Sequence, residues 1–328
     1  MKNDHFQSVS ILVVVKNEAE NLKKLIPILL NQQYQGLWDI HIVDDHSMAS
    51  PLELWQDPAF NHSRLHLHRL PSDKAGKKQG LAYGLDKVTY DYVLLTDADC
   101  RPVSQNWLNL MQTALEDNEI VLGYSPYLQT NTFLNQTIRL ETDYTALMYL
   151  SSALYGQGYM GVGRNLLYHK SIAVSSQNLQ KHKSLLSGDD DLMVNELSHT
   201  HQFSIQIDPF SFVESIPKST WKDWLKQKSR HVTTARHYQS VHIVFLILFY
   251  STLILSWLLP AFLIGCWPWT MICFLLIKYS HFYIFKRLAV QILVQKYSFL
   301  TWLFAEGLYI VALIYLIPFG IFKKADKW

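Results

Sequence analysis

The chain has 328 residues, a formal net charge of +2 and 49% hydrophobic residues. A charge so near neutrality gives no support for binding nucleic acid or another polyanion through the chain as a whole. Its three cysteines are too few for a disulfide framework or a zinc site, and they suit a reducing compartment. Residues 1–7 have no apolar signal-peptide core, so we expect that the globular part is not exported.

The first predicted elements alternate strand, helix and strand. Val9–Val15 is an apolar, β-branched run, a helix is predicted over Leu22–Leu30, and Ile40–Ser47 is a second strand that runs into Asp44 and Asp45. This order is typical of a βαβ unit, whose ligands bind beyond the carboxyl ends of its parallel strands. The glycine patterns of P-loop and dinucleotide-binding turns are absent from the sequence here. We therefore predict a nucleotide-type sheet without the usual dinucleotide turn.

A basic, glycine-bearing helix start follows a weaker third strand. The strand is predicted over Leu65–Leu70, and the helix begins within Lys74–Leu85. Lys77 has the charge and reach to contact a phosphate, although a solvated lysine would have the same local sequence.

The segment Tyr92–Cys100 is the centre of the prediction. Its apolar start is typical of a buried strand, and it ends in Asp97 and Asp99. Two carboxylates at a strand end offer oxygen donors near one point, which suits Mg²⁺ or Mn²⁺ bridged to phosphate. Such aspartates also occur as ordinary caps of the next helix, so the triplet alone does not establish a metal site.

The middle of the chain continues with alternating helices and strands. The pattern predicts a helix over Ser104–Glu116, a strand over Glu119–Tyr127, a long helix over Asn131–Tyr155, and short strands over Phe203–Ile207 and Phe210–Glu214. Glu141 and Asp143 are expected on the polar side of the long helix. Five histidines without a metal-site context are predicted to lie at the surface: His62, His66, His68, His199 and His201.

Two segments combine unusual composition with a predicted turn. Gly156–Asn165 is too rich in glycine for a helix and is predicted to form a turn and strand that let a ligand approach the backbone. Asp189, Asp190 and Asp191 lie together at a predicted helix start. Acidic residues there are ordinary capping chemistry. Adjacent carboxylates also repel one another and tend to raise a pKa, as a general base requires, so capping and catalysis both remain open.

The last ninety or so residues are dominated by apolar side chains. Trp221–His231 is predicted as a basic amphipathic helix at a membrane interface. Three apolar segments are long enough to be candidate membrane spans: Val241–Gly265, Cys266–Phe285 with Lys278 and His281 inside it, and Phe299–Gly320 with Glu306. The charge rule places Lys222–Arg236 and Lys286/Arg287 on the cytoplasmic side, but three spans would put the terminal lysines outside, against that rule.

In their order along the chain, these segments resemble the inverting glycosyltransferases of family 2, in particular a membrane-associated bacterial type. The similarity runs from about Val9 to His237. It implies an α/β fold of the GT-A class, a Rossmann-like open mixed sheet of the nucleotide-diphospho-sugar transferase fold, followed by C-terminal transmembrane helices. The expected domains are a catalytic domain over 1–217, an interfacial helix over 218–240, and a membrane domain over 241–328 with two or three transmembrane helices.

The resemblance implies a donor side at the first strand ends. Val14–Glu18 is similar to the family's "xYNE" turn, Val43–Ser47 to "VDDxS", and Gly76–Lys77 to the "GK" of the phosphate-side helix. Gln227–His231 is similar to "QxxRW", with histidine in place of tryptophan. The implied nucleotide-sugar contacts are Lys16, Glu18, Asp44, Asp45, Lys77, Asp97, Gln227, Arg230 and His231.

The resemblance also implies a metal, a base and an acceptor side. Asp97 and Asp99 take the place of the metal-binding "DxD". The acidic run at 189–191 lies where the family carries its "ED" base; counting back from Leu192 favours Asp189, with Asp190 as the rival. Gly161–Asn165 is similar to "GxGxN", so the implied acceptor-side residues are Gly163, Arg164, Asn165 and Asp191.

The implied reaction moves a sugar from a nucleotide-diphospho-sugar, UDP- or GDP-linked, to a hydroxyl of a glycan or lipid-linked acceptor, with inversion and a divalent cation (Mg²⁺ or Mn²⁺). The implied location is the plasma membrane, multi-pass, with the catalytic domain on the cytoplasmic face. Two alternatives are a nucleotidyltransferase acting on sugar phosphates and a non-catalytic membrane subunit that retains the fold.

Overall fold

The computed structural model describes residues 6–48, 60–116, 118–175, 190–263 and 269–322. These residues divide into two compact units. The first comprises the described residues up to Pro126 together with Tyr149–Ile216, and the second comprises Tyr127–Met148 together with the described residues from Pro217 onward. The domain boundaries expected at residues 217 and 240 stay a prediction.

The first unit is built on a mixed α/β sheet. The strands are β1 (Val9–Val15), β2 (Trp38–Asp44), β3 (Leu65–Arg69), β4 (Tyr92–Leu95), β5 (Cys100–Pro102), β6 (Ile120–Gly123), β7 (Leu166–His169), β8 (Ser204–Gln206) and β9 (Val213–Ser215). Among the described residues, seven of them form one sheet in the order β3-β2-β1-β4-β7-β6-β8, and β5 pairs with β9 in a separate antiparallel ribbon. Strands β3, β2, β1 and β4 are mutually parallel, so their carboxyl ends meet at one edge.

The parallel half of the sheet is buried on both faces, which explains its continuous apolar sequence. Every residue of β2 is buried, and all but one of β1. Helix α1 (Ala19–Leu30) places Leu22, Leu25 and Leu29 in the same core. The close spacing of these apolar positions buries one helical face against the sheet.

Helix α2 (Lys77–Lys87) packs closely on the sheet through small residues. A Cβ atom added at Gly84 would lie 2.6 Å from Leu12 Cδ1, and one at Gly80 would lie 2.5 Å from Val14 Cγ1. These glycines therefore let the helix backbone approach β1 and bring the helix start to the carboxyl edge of the sheet.

The other helices described in the first unit are short. They are α3 (Trp107–Thr113), α5 (Lys170–Ser175) and α6 (Asp191–Leu197). Helix α4 (Phe133–Leu154) belongs to both units, with its last turns in the first. The short strand predicted over Phe210–Glu214 begins later, because Pro209–Ser211 forms a 3₁₀ turn capped by Asp208.

The second unit is helical. Its helices after α4 are α7 (Trp221–Ala235), α8 (Ser240–Leu263), α9 (Thr270–Ile292) and α10 (Phe299–Phe322). Of the described helices, α8 over Ser240–Pro260 and α10 over Phe299–Pro318 are long and apolar enough to cross a membrane. The predicted span at Cys266–Phe285 is not among them, and its first residues lie outside the described part of the chain.

A buried ion pair crosses this helical unit. The Lys278 ammonium lies 2.6 Å from a Glu306 carboxylate oxygen, and neither side chain is exposed. Glu306 also accepts hydrogen bonds from Trp257 Nε1 and Tyr144 Oη, both at 2.7 Å. The charged residues that interrupt the apolar sequences of α9 and α10, Lys278 and Glu306, are thus paired with each other.

The expectation that two acidic side chains of α4 face solvent is wrong. Glu141 and Asp143 are buried rather than on a solvated face: Glu141 pairs with Lys228, and Asp143 accepts a hydrogen bond from Tyr297 Oη at 2.6 Å. His66 and His68 are half-buried, because both rings lie against the buried His41 of the neighbouring strand, although the His66 side chain is 41% exposed. The helical pattern of α4 alone could not reveal the partners of Glu141 and Asp143, since Lys228 and Tyr297 come from distant segments.

Candidate active site

The turns that follow β1 and β2 are joined by hydrogen bonds. The backbone N–H of Asn17 donates to Ser47 Oγ at 2.7 Å, and the N–H of Met48 donates to Asn17 Oδ1 at 2.9 Å. Asn17 has a positive φ of 59°, a conformation that asparagine tolerates better than most residues. Asp44 accepts from the N–H of Ser47 at 3.2 Å. The two turns therefore form one preformed edge at the predicted donor site.

Asp45 connects this edge to the start of α2. Its Oδ2 atom accepts from the backbone N–H of Gly76 at 3.0 Å and from Lys16 Nζ at 3.3 Å. Gly76 has a φ of 94°, which favours glycine at that position. Asp44 Oδ2 is buried and has no hydrogen-bond partner within the described residues. A buried acceptor without a partner is costly, so this oxygen is suited to a donor group on a ligand.

The aspartates after β4 form a compact group with the next residue. One ligand atom each from Asp97, Asp99 and Cys100 lies within 4.8 Å of the others. The Lys77 ammonium lies 2.8 Å from Asp97 Oδ1, so the first residue of α2 reaches the same point. The group thus combines oxygen donors for a hard cation with a cation that could contact phosphate.

Within this group the thiol is the weakest metal-ligand candidate. Burial, and then the negative charges of Asp97 and Asp99, raise the pKa of the Cys100 thiol far above its ordinary value. A neutral thiol is a poor ligand for Mg²⁺ or Mn²⁺, which prefer oxygen. The two carboxylates are therefore the residues that fit a divalent cation.

Arg101 organises the turn that carries these carboxylates. Its guanidinium donates to the carbonyl of Ala98 at 2.8 Å and to the carbonyl and side-chain oxygens of Asn21, both at 3.3 Å. Asn21 in turn donates to Glu18 Oε2 at 2.6 Å. Sequence reasoning missed Arg101. Its position directly after the acidic segment could have indicated this role, because an arginine there has five N–H donors that can satisfy several carbonyls of the turn.

The acidic run reaches the glycine-rich segment through Asp190. This residue precedes α6 and accepts a hydrogen bond from the backbone N–H of Gly163. A Cβ atom at residue 163 would lie 2.8 Å from Asp190 Oδ2, so a larger residue there would displace this carboxylate. Asp191 is the first residue of α6, and its Oδ1 accepts from the N–H of Leu192 at 2.9 Å. Asp189 lies outside the described residues.

Asn165 is fully engaged inside the fold. Its Oδ1 accepts from Trp107 Nε1, and its Nδ2 donates to the carbonyls of Tyr124 and Ser211, each at 2.9 Å. These bonds position the end of the glycine-rich segment beside β6 and β9. The neighbouring Arg164 donates to the carbonyl of Ser125 at 3.4 Å. Its positive charge also opposes the rise in the pKa of Cys100, so it lies near the carboxylate group.

The predicted QxxRH segment lies on α7 in the second unit. Gln227, Arg230 and His231 are on adjacent turns of this helix, and burial lowers the pKa of the Arg230 guanidinium. In the first unit the structure brings together the residues at the ends of β1, β2 and β4 and the start of α2. The roles of Gln227, Arg230 and His231 stay predictions.

Comparison with known proteins identifies a family for the first half of the chain. The family model described as "Glycosyl transferase family 2" matches residues 10–174, half of the 328 residues. Comparison with curated protein sequences finds no significant match.

Solved structures with a similar fold extend over most of the chain. One is the mannosyltransferase PcManGT from Pyrobaculum calidifontis in complex with GDP-Man and Mn²⁺, with a TM-score of 0.58 and 15% identity over 98% of this chain and 89% of that one. Another is S. aureus TarS 1-349 in complex with UDP-GlcNAc, with a TM-score of 0.48 and 13% identity over 72% and 69%. The first of these likenesses shows that the fold is of the GT-A type.

Proposed function

The chain belongs to glycosyl transferase family 2 and is a nucleotide-sugar glycosyltransferase, and from this premise we propose how its residues perform the transfer. The proposal is that the edge formed by the β1, β2 and β4 turns holds the donor. Asp44 would accept a hydrogen bond from the base or ribose through its unpartnered Oδ2 atom. Asp45 and Lys16 keep the two turns together. The observation that carries the proposal is the convergence of Lys77 on Asp97 at this same edge.

The diphosphate of the donor would lie between Lys77 and the carboxylates of Asp97 and Asp99. These carboxylates would hold a Mg²⁺ or Mn²⁺ ion, which supplies Lewis-acid stabilisation of the negative charge on the leaving nucleoside diphosphate. Lys77 now contacts Asp97 and would exchange this partner for a phosphate oxygen when the donor and cation are bound. Arg101 keeps the acidic turn in place through its backbone contacts.

The acceptor would meet the donor beside the glycine-rich segment. Asp189 or Asp190 would take the proton from the acceptor hydroxyl as that oxygen attacks the anomeric carbon, and attack from the face opposite the leaving group inverts the centre. The hydrogen bond from the N–H of Gly163 fixes the position of the Asp190 carboxylate. Arg164 and Asp191 would complete the acceptor contacts within this unit.

The proposed location is the plasma membrane, with the catalytic unit on the cytoplasmic face, where nucleotide sugars are made. Helix α8 supports this location, because a large share of its surface is apolar and exposed, including Val244, Leu248, Leu255 and Leu259. The basic residues of α7 suit the cytoplasmic side. A lipid-linked or glycan acceptor would reach such a site at the membrane surface. Reporter fusions after α8 and α10 would measure which side each helix end occupies.

A donor screen tests the proposed reaction. Purified full-length protein in detergent would be incubated with individual UDP- and GDP-sugars, Mn²⁺ and a lipid-linked acceptor extract. The expected result is release of nucleoside diphosphate with one donor, lost in Asp99→Asn and retained in Asp91→Asn, an exposed aspartate paired with Lys170. Release of pyrophosphate would favour nucleotidyl transfer instead, and turnover of Asp99→Asn near the wild-type rate would contradict the metal role.

The general base is assigned by a second comparison. Asp189→Asn and Asp190→Asn should differ: the true base variant loses transfer but keeps donor affinity, because the donor site does not include it. If both variants keep transfer, the acidic run is a helix cap and the base lies elsewhere.

A further inference from the structure

A cluster of histidines lies on strands β2 and β3, apart from the strand-end carboxylates. Asp39 and His41 share one face of β2, and His41 is in register with His66 on β3. His68 follows two residues after His66 and faces the same cluster, with its ring stacked on that of His41 at a centroid distance of 5.1 Å. These residues lie within the strands, whereas Asp44 of the proposed donor site is the last residue of β2.

The nitrogen and oxygen atoms of this cluster face one another. His41 Nε2 lies 3.2 Å from Asp39 Oδ2, and His66 Nε2 lies 3.9 Å from the same oxygen. One ligand atom each from Asp39, His41 and His66 lies within 4.8 Å of the other two. In a tetrahedral zinc site, with metal–ligand bonds near 2.1 Å, neighbouring ligand atoms are about 3.4 Å apart. Small side-chain movements would therefore complete the geometry.

A second observation points to a missing partner. Asp39 is 5% exposed, and its Oδ1 atom is buried without a hydrogen-bond partner in the described residues. The other carboxylate oxygen faces His41, so only Oδ1 lacks a partner, and a metal ion held with these imidazoles would supply one. We propose that Asp39, His41 and His66 form a Zn²⁺ site that joins the edge strand β3 to β2. Two imidazoles and a carboxylate suit zinc, whereas Mg²⁺ prefers oxygen ligands.

His68 contacts a proposed ligand rather than the metal position itself. His41 Nδ1 and His68 Nε2 are 2.9 Å apart, so one ring donates to the other. A metal-binding histidine commonly donates its second ring N–H in this way, which fixes the tautomer and leaves the other nitrogen for the metal. Here that assignment leaves His41 Nε2 facing Asp39 and His66.

The site also has an entry path and a place for a fourth ligand. The His66 side chain is 41% exposed, so an ion can enter from solvent at the sheet edge. Thr89 Oγ1 lies 3.4 Å from His41 Nε2, and a water molecule on the exposed side can complete the coordination. Among the described strands β3 is the last on its side of the sheet, so a metal bridge to β2 would stabilise an edge held by one described neighbour.

Zinc binding by the purified full-length protein tests this proposal. The chelator-treated protein, in excess Mg²⁺ to occupy the strand-end carboxylates, would be titrated with ZnCl₂ and followed by calorimetry, metal analysis and thermal unfolding. The expected result is one saturable equivalent of Zn²⁺ per chain and a higher unfolding temperature. Co²⁺ in place of Zn²⁺ should give the visible absorption of a four-coordinate site.

Three variants make the test specific. His66→Ala should lose the saturable equivalent and the thermal shift, while His62→Ala, an exposed histidine of the same segment, should keep both. His68→Gln should weaken binding by about 10- to 100-fold. Asp99→Asn should bind zinc as the wild type does, which separates this site from the proposed catalytic one.

Two results would overturn the proposal. The first is a wild-type protein with no saturable zinc, which would make the cluster a His41–Asp39 hydrogen-bonded pair. The second is wild-type zinc affinity in His66→Ala. The unfolding temperature of each variant in chelator shows whether it is folded, so a folding defect is distinguished from loss of a ligand.

Discussion

Asn165 offers the sharpest test of how the candidate site is built. The resemblance places it on the acceptor side, but its side chain bonds to Trp107, Tyr124 and Ser211 and is completely buried. We predict that Asn165→Ala acts mainly on stability. The substitution would leave one buried N–H donor and two carbonyl acceptors without their partner.

The expected magnitude follows from those three groups. Leaving a buried polar group unsatisfied costs about 1–3 kcal/mol. Water can enter the space left by the Asn165 side chain, so we take about 1 kcal/mol for each of the three groups, or about 3 kcal/mol in total. For a unit of this size, 1 kcal/mol corresponds to about 2–4 °C, so the unfolding temperature should fall by about 6–12 °C.

Thermal unfolding of wild type and Asn165→Ala in detergent measures this effect, with Asn106→Ala as a matched control at an exposed asparagine next to Trp107. Below its unfolding temperature the variant should keep a near-normal KM for the acceptor. An unfolding temperature within about 1 °C of wild type, together with a raised acceptor KM, would refute the structural role and favour direct acceptor binding.

Three further predictions concern the donor edge, the close helix and the buried ion pair. Lys77→Met should weaken binding of the nucleoside diphosphate at least tenfold by calorimetry, because a charge-assisted hydrogen bond is worth about 1.5–3 kcal/mol; unchanged affinity would remove Lys77 from the site. Gly84→Ala should destabilise the protein by about 1–3 kcal/mol through overpacking against Leu12, and an unaltered unfolding temperature would show that α2 can shift freely. Lys278→Met alone should cost about 3–5 kcal/mol because it removes the ammonium beside the buried Glu306 carboxylate, while Lys278→Met with Glu306→Leu should cost clearly less. Equal destabilisation by the single and double variants would contradict that account.

The parallel half of the fold was predictable because burial on both faces leaves a clear local signal. Strand β1 has the predicted bounds, and β2 and β3 differ from prediction by a few residues at their ends. The other end of the sheet was less clear, since strands such as β8 are three residues long and only partly buried. A strand that short gives too few alternating positions to define its limits.

The strand-end carboxylates were identified in the sequence because each follows an apolar run. Their supporting contacts were not, because these join segments far apart in the chain: Lys77 with Asp97, and Arg101 with Asn21. His41 was missed for a similar reason. Its significance depends on the pairing register that places it opposite His66, and no local pattern specifies that register.

The central claim is that Asp97 and Asp99 bind a divalent cation that holds the donor diphosphate. Electron paramagnetic resonance of Mn²⁺ tests it directly, because the strong signal of the hydrated ion weakens when the ion is bound. The wild-type protein with nucleoside diphosphate should bind one Mn²⁺ more tightly than nucleoside diphosphate alone, and Asp99→Asn should lose that gain. Equal Mn²⁺ binding by the two proteins would contradict the claim.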